Sequence, residues 1–320
     1  MLADPRYYRL FGVVVAVHGD LVLRATPADG PPDLAVRVVH DPPVAPWEAA
    51  EELYTTSIRE GYAAPDFQFF RLPDRDVIRI AGTGDVHLLD QAIVFHLQNR
   101  DHRFLVEIVL LGLAMAFWLE RRGRSTLHGS AVSFAGMGVG FVAVGGMGKS
   151  SLAAYLTAHG DPLITEDLLA WSWSDGVPLA EPAVAQLRLW PEVAAQYVAD
   201  WETLAQPHPR FSKRKLLVGP DGIGELATQP VPLQRIYVLQ RSERPSLRPT
   251  VVRLSGGDAL AELLTHSYLP EIAESFGWAA RRLGQLARLI GATPVGVLRY
   301  PGGTDKFPLV RAAILTDLSS

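Results

Sequence analysis

Cysteine is absent from the 320 residues of this chain. Thiol catalysis, disulfide bonds and cysteine-ligated zinc are therefore excluded. A strong excess of charge is missing as well, because the formal net charge at pH 7 is only −4. This balance gives no reason to expect nucleic acid as a partner.

Targeting and membrane-spanning patterns are also missing. The chain begins MLADPRYYRLFG, which lacks the basic-then-apolar order of a secretory signal. The most apolar stretch, residues 104–119, contains Glu107 and is rather short for a membrane span. We expect it to form a buried helix and predict no membrane association. A cytoplasmic location fits these features and the lack of cysteine.

The sequence does contain enough apolar residues, 48% against 20% charged, for a globular protein with a substantial core. Residues 1–100 indicate short strands, with a hairpin turn predicted at Gly19 and Asp20, and they hold no catalytic cluster. From residue 101 onwards helices and strands alternate. We predict a β-rich accessory domain at residues 1–100, suited to partner recognition, and an α/β domain at residues 101–320.

A glycine loop between a strand and a helix is the strongest motif. The apolar strand at residues 139–144 precedes the loop, and a helical pattern begins at Lys149. Glycines let backbone N–H groups converge on phosphate oxygens, and the helix N-terminus adds partial positive charge. Lys149 is expected to reach the terminal phosphates, and Ser150 to contact Mg²⁺. The predicted nucleotide-binding residues are Gly145, Gly146, Met147, Gly148, Lys149, Ser150 and Ser151.

One position of this loop departs from the strict pattern G-x-x-x-x-G-K-[ST], because Ala143 stands where the pattern has glycine. Alanine fits there provided that its φ angle is negative. The alternative interpretation of the stretch is a glycine turn followed by an ordinary surface lysine.

Two adjacent acids, Glu166 and Asp167, end the strand that follows the helix of the loop. That strand is expected to return to the same edge of the sheet. Adjacent residues on a strand point to opposite faces, so one carboxylate can face Mg²⁺ and the other an acceptor hydroxyl. On the strand before the loop strand, His128 is either a core residue or part of the site.

The stretch 127–170 resembles the catalytic core of HPr kinase/phosphorylase and its bacterial relatives. That core has a His-Gly strand, a glycine loop ending Gly-Lys-Ser, a helix ending near a glycine, and an acidic pair. The matching positions are His128-Gly129, residues 145–150, Gly160 and Glu166-Asp167. A closer resemblance is to the HPr-kinase-like serine kinases of lasso-peptide biosynthesis, which carry a β-rich N-terminal region and a motif close to QLRLWP at residues 186–191.

The resemblance implies an HPr-kinase-like (PEP-carboxykinase-like) P-loop core and a role for each matched residue. Lys149 and Ser150 would hold phosphate and Mg²⁺. The second acid, Asp167, would be a metal ligand, and the first, Glu166, would be the general base that activates the acceptor serine. His128 would lie near the acceptor.

Two further positions differ from the family pattern, and one agrees with it. Glu166 replaces the usual first aspartate of the pair, and Gln186 stands where HPr kinases have a metal-binding glutamate. Arg188 is retained, and an arginine near a transferring phosphoryl group stabilises its charge. The basic run at residues 213–215 is either a phosphate- or acidic-peptide-binding loop or a solvated loop.

We predict an ATP- and Mg²⁺-dependent kinase that phosphorylates a serine hydroxyl of a peptide or small protein. The resemblance favours the C-terminal serine of a lasso-peptide precursor. Related HPr kinases are hexameric, so the resemblance also allows a homo-oligomer. The alternatives are a nucleotide-binding switch without transfer activity, suggested by Ala143 and Gln186, and a kinase of a small-molecule alcohol.

Overall fold

The computed structural model describes residues 4–40, 50–57, 65–209, 211–244 and 246–319. Within these ranges the chain is a mixed α/β protein with two large sheets. The strands are β1 (Arg6–Leu10), β2 (Val13–Val17), β3 (Thr26–Pro27), β4 (Leu34–Val39), β5 (Glu51–Thr55), β6 (Phe67–Arg71), β7 (Asp76–Ile80), β8 (Gly84–Leu88), β9 (Ala92–Leu97), β10 (Thr126–Phe134), β11 (Met137–Val142), β12 (Leu163–Thr165), β13 (Leu168–Ser174), β14 (Val177–Ala180), β15 (Gln186–Leu189), β16 (Arg214–Leu217), β17 (Val231–Ser242), β18 (Thr250–Arg253) and β19 (Val295–Pro301). The helices are α1 (Phe104–Val109), α2 (Met115–Arg121), α3 (Lys149–Ala158), α4 (Pro191–Ala194), α5 (Gly256–Thr265), α6 (Ile272–Ser275), α7 (Ala279–Ala292) and α8 (Phe307–Leu318).

The first sheet has nine strands in the order β3-β1-β2-β4-β9-β8-β7-β6-β5. Its first hairpin joins β1 to β2 through Phe11 and Gly12, whose φ angles are 52° and 76°. Two left-handed residues are what a tight two-residue hairpin turn needs. The prediction of a hairpin around Gly19 and Asp20 is therefore wrong: the chain bends there, but residues 21–24 form no strand beside β2, which pairs with β1 and β4.

The second sheet surrounds the glycine loop. Strand β11 pairs antiparallel with β10 and parallel with β17, and β17 pairs parallel with β19. Strand β12 pairs antiparallel with β10, with Thr165 opposite Ala131, and so runs parallel to β11 as predicted. The carboxyl ends of these parallel strands share one edge, which is where ligands bind in α/β sheets.

The apolar stretch at residues 104–119 forms a continuous helical segment in which a π-helical turn, Leu110–Ala114, connects α1 to α2. All five residues of that turn are buried. Among the described residues, Arg100–Arg121 is the one helix long and apolar enough to cross a membrane, and 67% of its apolar window is buried within the protein. Its core position agrees with the prediction, since a helix that is apolar all round is normally buried.

The core beneath the first sheet also includes residues from the second half of the chain. Leu168, Ala170 and Ile272 belong to the same buried cluster as Leu10, Phe69 and the π-helical turn. A buried ion pair also joins Glu120 on α2 to Arg282 on α7. The division into an accessory domain at residues 1–100 and a kinase domain at residues 101–320 stays a prediction.

Two predicted segments near the site differ in the structure. From the sequence, residues 191–204 favour a helix with Pro191 at its first position. The structure forms only α4 there, because the residues after it leave the helix and pack side chains such as Tyr197 and Val198 against the core of the second sheet. Part of the predicted basic loop at residues 211–215 is strand β16, which pairs with β15 and buries Leu216. In both places tertiary packing outweighs the local pattern.

Candidate functional site

The glycine loop depends on backbone angles that side chains rarely adopt. Gly146 and Gly148 have φ angles of 83° and 93°. A Cβ at position 148 would also lie 2.9 Å from the hydroxyl oxygen of Tyr300. Ala143 is not among the residues with positive φ. Its backbone therefore meets the condition under which alanine replaces the first glycine of the motif.

The side chain of Lys149, at the end of this loop, reaches back to the beginning of the loop. Its Nζ atom donates a hydrogen bond to the carbonyl oxygen of Ala143 at 2.6 Å, and the residue is buried. Burial lowers the pKa of Lys149, while Asp167 and Glu166 act in the opposite direction. The loop thus has a buried cation at its centre, together with the unsatisfied N–H groups at the start of α3.

The acidic pair lies in the tight turn between β12 and β13. Asp167 has a φ angle of 72°, so the pair does not continue the strand geometry of β12. Both carboxylates reach Arg188, whose NH2 atom lies 3.0 Å from Oε2 of Glu166 and 2.9 Å from Oδ2 of Asp167. The expectation that the two acids point to opposite faces is wrong, because the left-handed backbone turns both side chains towards one cation.

Glu166 also contacts the start of the loop helix. The Ser150 hydroxyl donates a hydrogen bond to Oε1 of Glu166 at 2.8 Å, and Nε and NH2 of Arg188 donate to Oε2 at 3.1 and 3.0 Å. A hydroxyl and a carboxylate that meet beside a phosphate-binding loop are suitable Mg²⁺ ligands. The contact therefore favours Glu166, not Asp167, as the partner of Ser150.

Asp167 contacts His128 instead. Nδ1 of His128 lies 3.4 Å from Oδ1 of Asp167 and 3.1 Å from its carbonyl oxygen. Burial raises the pKa of Asp167, but the charges of Arg188, His128 and Lys149 outweigh burial and hold it below its ordinary value. Burial lowers the pKa of His128 despite the neighbouring Asp167. The site therefore pairs a carboxylate whose pKa is lowered by Arg188 with an imidazole whose pKa is lowered by burial.

Arg188 is the cation that contacts both acids of the site. It lies on β15, opposite Lys215 of β16, and only 17% of its side chain is exposed. Burial lowers the pKa of Arg188, but Glu166 and Asp167 raise it by more, so the guanidinium stays charged. Its planar fork suits two acceptors at once, which a lysine ammonium does not match.

These residues share one cleft of about 1330 Å³. Its lining includes all but one of the predicted site residues: His128, Gly145, Gly146, Gly148, Lys149, Ser150, Ser151, Glu166, Asp167 and Arg188. The exception is Met147, which packs against the core of the second sheet and accepts a hydrogen bond from Tyr300 through its carbonyl oxygen. The site has room for a nucleotide and an acceptor, since small-molecule pockets range from roughly 300 to 1,000 Å³.

The residues present fit a magnesium ion held with a nucleotide. Among the described residues no group of three His, Asp or Glu side chains is placed to hold a metal by itself. Ser150 and Glu166 offer one hydroxyl and one carboxylate. This is the usual protein share of a Mg²⁺ site whose other ligands are phosphate oxygens and water.

Comparison with solved structures finds similar chains, among them one kinase/phosphatase. The chain is similar to the Hpr(Ser) kinase/phosphatase from Coxiella burnetii, with 13% identity over 61% of this chain and 93% of that chain, and a TM-score of 0.34. No family model and no curated protein matches the sequence. Similarity at this level assigns no role to a residue, so the functional proposal rests on the site itself.

Two residues of the site were not found from the sequence. Tyr268 donates a hydrogen bond to Oδ2 of Asp167 at 3.4 Å, and its ring meets that of His128 edge to face. A Cβ at Gly112, in the π-helical turn, would lie 2.5 Å from the Tyr268 hydroxyl and 3.3 Å from Oδ2 of Asp167. Neither residue belongs to a motif. The glycine inside an apolar helix was the one available signal of a close approach.

Gln186, at the position where HPr kinases have a metal-binding glutamate, contacts Glu107 outside the cleft. Gln186 donates to Oε1 of Glu107 at 2.5 Å, and Lys215 donates to Oε2 of Glu107 at 2.7 Å. Neither Gln186 nor Glu107 lines the cleft. This partly buried network fixes the paired strands β15 and β16, and with them Arg188, against α1. Lys213 in contrast does line the cleft, over the ring of Trp190.

Proposed function

We propose that this protein is a kinase that transfers a phosphoryl group from ATP, with Mg²⁺, to a serine hydroxyl of a peptide or small protein. One observation carries the proposal: the glycine loop with Lys149, the Ser150–Glu166 pair and the Arg188–Asp167 pair all line one cleft. Nucleotide binding alone needs the loop. A second carboxylate beside it is the additional part that transfer to a hydroxyl requires.

On the donor side, ATP with Mg²⁺ supplies the activated phosphoryl group. The backbone N–H groups of residues 145–148 and the start of α3 would bind its phosphate oxygens. Lys149 would exchange its contact with the Ala143 carbonyl for a phosphate oxygen. Ser150 and Glu166 would hold the metal, because the two side chains already meet.

On the acceptor side, Asp167 would accept the proton of the serine hydroxyl, and His128 would orient it. This exchanges the roles that the family resemblance gives to the two acids. The Ser150–Glu166 contact and the His128–Asp167 contact both support the exchange. Phosphoryl transfer passes through a loose transition state, so positioning and charge stabilisation matter more than a strong base.

Arg188 would serve both acids. With Glu166 and Asp167 it forms a buried cluster in which one cation faces two carboxylates. Without that cation the two negative charges would repel each other and the developing phosphate charge. Arg188 therefore holds the pKa of Asp167 below its ordinary value, and its guanidinium lines the cleft in which negative charge would develop.

The acceptor that the family resemblance favours is the C-terminal serine of a lasso-peptide precursor, which would place the enzyme in the biosynthesis of a ribosomally made, modified peptide. Use of ATP is consistent with the predicted cytoplasmic location. The proposal includes a homo-oligomer, which the family resemblance allows.

The test is transfer from γ-labelled ATP to serine peptides, with Glu166→Gln and Asp167→Asn compared against the wild type. Asp167→Asn is expected to lower transfer by roughly 100-fold or more while Mg²⁺-ATP still binds. Glu166→Gln is expected to weaken Mg²⁺-ATP binding as well. If the wild type binds ATP but labels no peptide, the nucleotide switch is favoured. If labelling appears only on small alcohols, the protein is a small-molecule kinase.

A further inference from the structure

A second cavity adjoins the cleft at its acidic end. Its volume is about 350 Å³, and it shares Asp167, Arg188, Phe67, Ile108 and Val109 with the large cleft. The glycine loop, Lys149 and Ser150 line the cleft but not this cavity. Asp167 and Arg188 therefore lie between the nucleotide-binding part of the cleft and a separate chamber, which we call the side chamber.

The lining of the side chamber is mainly apolar. It is built from the first sheet, from the π-helical turn and α1, and from the segment that leads into α6. Its apolar side chains include Tyr54, Phe69, Leu113, Leu269 and Ile272. Three segments that are far apart in the sequence thus enclose a space within the size range of small-ligand pockets, roughly 300–1,000 Å³.

Polar groups of the side chamber are concentrated at its two ends. At the inner end lie Asp167, Arg188 and Tyr268, which contact one another. Near the outer end, Glu271 lines the chamber and is exposed to solvent. Thr56 also lines it, but its hydroxyl is engaged with the backbone of Phe67. An acid at the entrance disfavours a negatively charged ligand and favours a neutral or basic one.

The geometry of phosphoryl transfer requires the acceptor to approach from the side opposite the leaving group. The loop with Lys149 holds the leaving side of the nucleotide, so the acceptor must enter near the second acid. Asp167 is the acid that both spaces share. In the step itself, the serine oxygen bonds to the γ-phosphorus, the bond to the ADP oxygen breaks with its electron pair on ADP, and the serine proton passes to Asp167.

We propose that the side chamber is the acceptor subsite, and that it selects a serine flanked by an apolar side chain in a segment without acidic residues. The inference rests on the proposed kinase function, because it assigns the second substrate of that reaction. The apolar side chain fills the chamber, and the serine hydroxyl lies at its inner end beside Asp167. A basic residue further along the peptide contacts Glu271.

The test uses acetylated heptapeptides with one central serine. In the first pair the residue next to the serine is Leu or Gly, and in the second pair Leu stays there and a residue further along is Lys or Glu. Transfer is measured with labelled ATP, and binding is measured by calorimetry in the presence of a non-hydrolysable ATP analogue. Leu113→Trp fills the chamber. Glu271→Lys reverses the charge of an exposed rim residue, and Glu274→Lys, also exposed on α6 but outside the chamber lining, is its matched control.

The wild type is expected to prefer the Leu-flanked peptide over the Gly-flanked one by roughly tenfold, the effect of an apolar side chain in a pocket. Leu113→Trp should abolish that preference and retain binding of the ATP analogue. Glu271→Lys should shift the preference from the peptide with Lys further along to the one with Glu there by about fivefold. Glu274→Lys should leave the ratio unchanged.

The inference and the kinase function fail in different ways. Transfer by the wild type without preference for the apolar flank, or with the same preference in Leu113→Trp and Glu271→Lys, overturns the subsite and leaves the kinase intact. Binding of the Leu-flanked peptide without transfer, lost in Leu113→Trp, supports the subsite and counts against the kinase. If no Leu-flanked peptide binds the wild type, the subsite is overturned regardless of transfer.

Discussion

The Ser150 hydroxyl donates a hydrogen bond to Oε1 of Glu166 at 2.8 Å, and so joins the first turn of α3 to the turn after β12. These two residues are sixteen positions apart in the chain. Their contact connects the phosphate-binding loop to the acidic pair, and Arg188 extends it from Glu166 to Asp167. The donor and acceptor parts of the site are therefore one hydrogen-bonded unit.

Removing the Ser150 hydroxyl should break the contact between the phosphate-binding loop and the acidic pair. Ser150→Ala is expected to weaken Mg²⁺-dependent ATP binding by about tenfold, because a metal ligand and the contact with Glu166 are both lost. Ser150→Thr keeps a hydroxyl and should bind within about threefold of the wild type, since the motif accepts either residue. Calorimetric titration with and without Mg²⁺ measures both effects. Equal affinities for Ser150→Ala and the wild type would place the metal elsewhere.

The loop predicts different responses at two positions five residues apart. Ala143→Gly should leave ATP affinity nearly unchanged and lower stability by roughly 1–2 kcal/mol, because glycine adds backbone entropy to the unfolded chain and a buried methyl group is lost. Gly148→Ala should abolish binding, since its φ angle is 93° and its Cβ would approach Tyr300. Nucleotide titration and thermal unfolding of the two variants give the comparison. A Gly148→Ala variant that binds normally would show that the loop does not need this backbone.

Arg188 should not be replaceable by lysine. Arg188→Lys keeps the charge but loses the fork that contacts both acids, so transfer is expected to fall by roughly 100-fold. Arg188→Met leaves the buried Glu166 and the partly exposed Asp167 without their cation and should also lower the free energy of unfolding by about 3 kcal/mol. Steady-state kinetics and denaturant unfolding separate the two effects. Full activity in Arg188→Lys would show that the positive charge at position 188 is sufficient and that the guanidinium fork is not needed.

The side chains of Glu120 and Arg282 are only 1% and 2% exposed, so removing one partner of this ion pair leaves the other charge buried without its counter-ion. Burial raises the pKa of Glu120, against the opposing effect of Arg282. Glu120→Ala is expected to lower the free energy of unfolding by about 3–5 kcal/mol, because Arg282 is left buried and unpaired. The double variant Glu120→Leu/Arg282→Met should recover part of that loss. If the double variant is no more stable than Glu120→Ala, the unpaired charge is not the cause.

His87 should make the protein less stable in acid. Burial, with a smaller effect of His96, lowers its pKa from 6.5 to about 4. Protonation therefore favours the unfolded chain: the contribution of His87 is complete above pH 6.5 and is lost as the pH falls towards 4. The loss amounts to roughly 3 kcal/mol.

His87→Phe cannot be protonated and should show a flatter dependence of stability on pH between 7 and 4 than the wild type. His159→Gln, a change at an exposed histidine, is the control and should follow the wild-type curve. Denaturant unfolding at several pH values measures the difference. Parallel curves for His87→Phe and the wild type would show that His87 is not the titrating group.

Sequence reasoning found the loop and the acidic pair because both have local signatures. Glycines at 146 and 148 mark positive φ angles, and the strand before the loop and the helix after it are strongly patterned. The return of β12 to the sheet that contains β11 followed from the strand–helix–strand connection through α3. Burial of the helix at residues 104–119 followed from its uniformly apolar surface.

Other parts of the site have no local signature. Asp167 adopts a left-handed backbone that its residue type does not require, so the shared orientation of the two acids was not foreseeable. Tyr268 and Gly112 reach Asp167 from segments far apart in the chain, and only the packing of the two sheets brings them together. Glu107 was considered only as a charge in an apolar helix, yet it holds Gln186 and Lys215.

Binding of ATP at the loop before α3 is the central claim, and calorimetric titration of Mg²⁺-ATP into the wild type and Lys149→Met tests it most directly. The wild type should bind one nucleotide per chain, and Lys149→Met should lose at least about tenfold in affinity, because the buried amine is the loop's main cation. Equal affinity in the two proteins, or no binding to the wild type, would contradict the account.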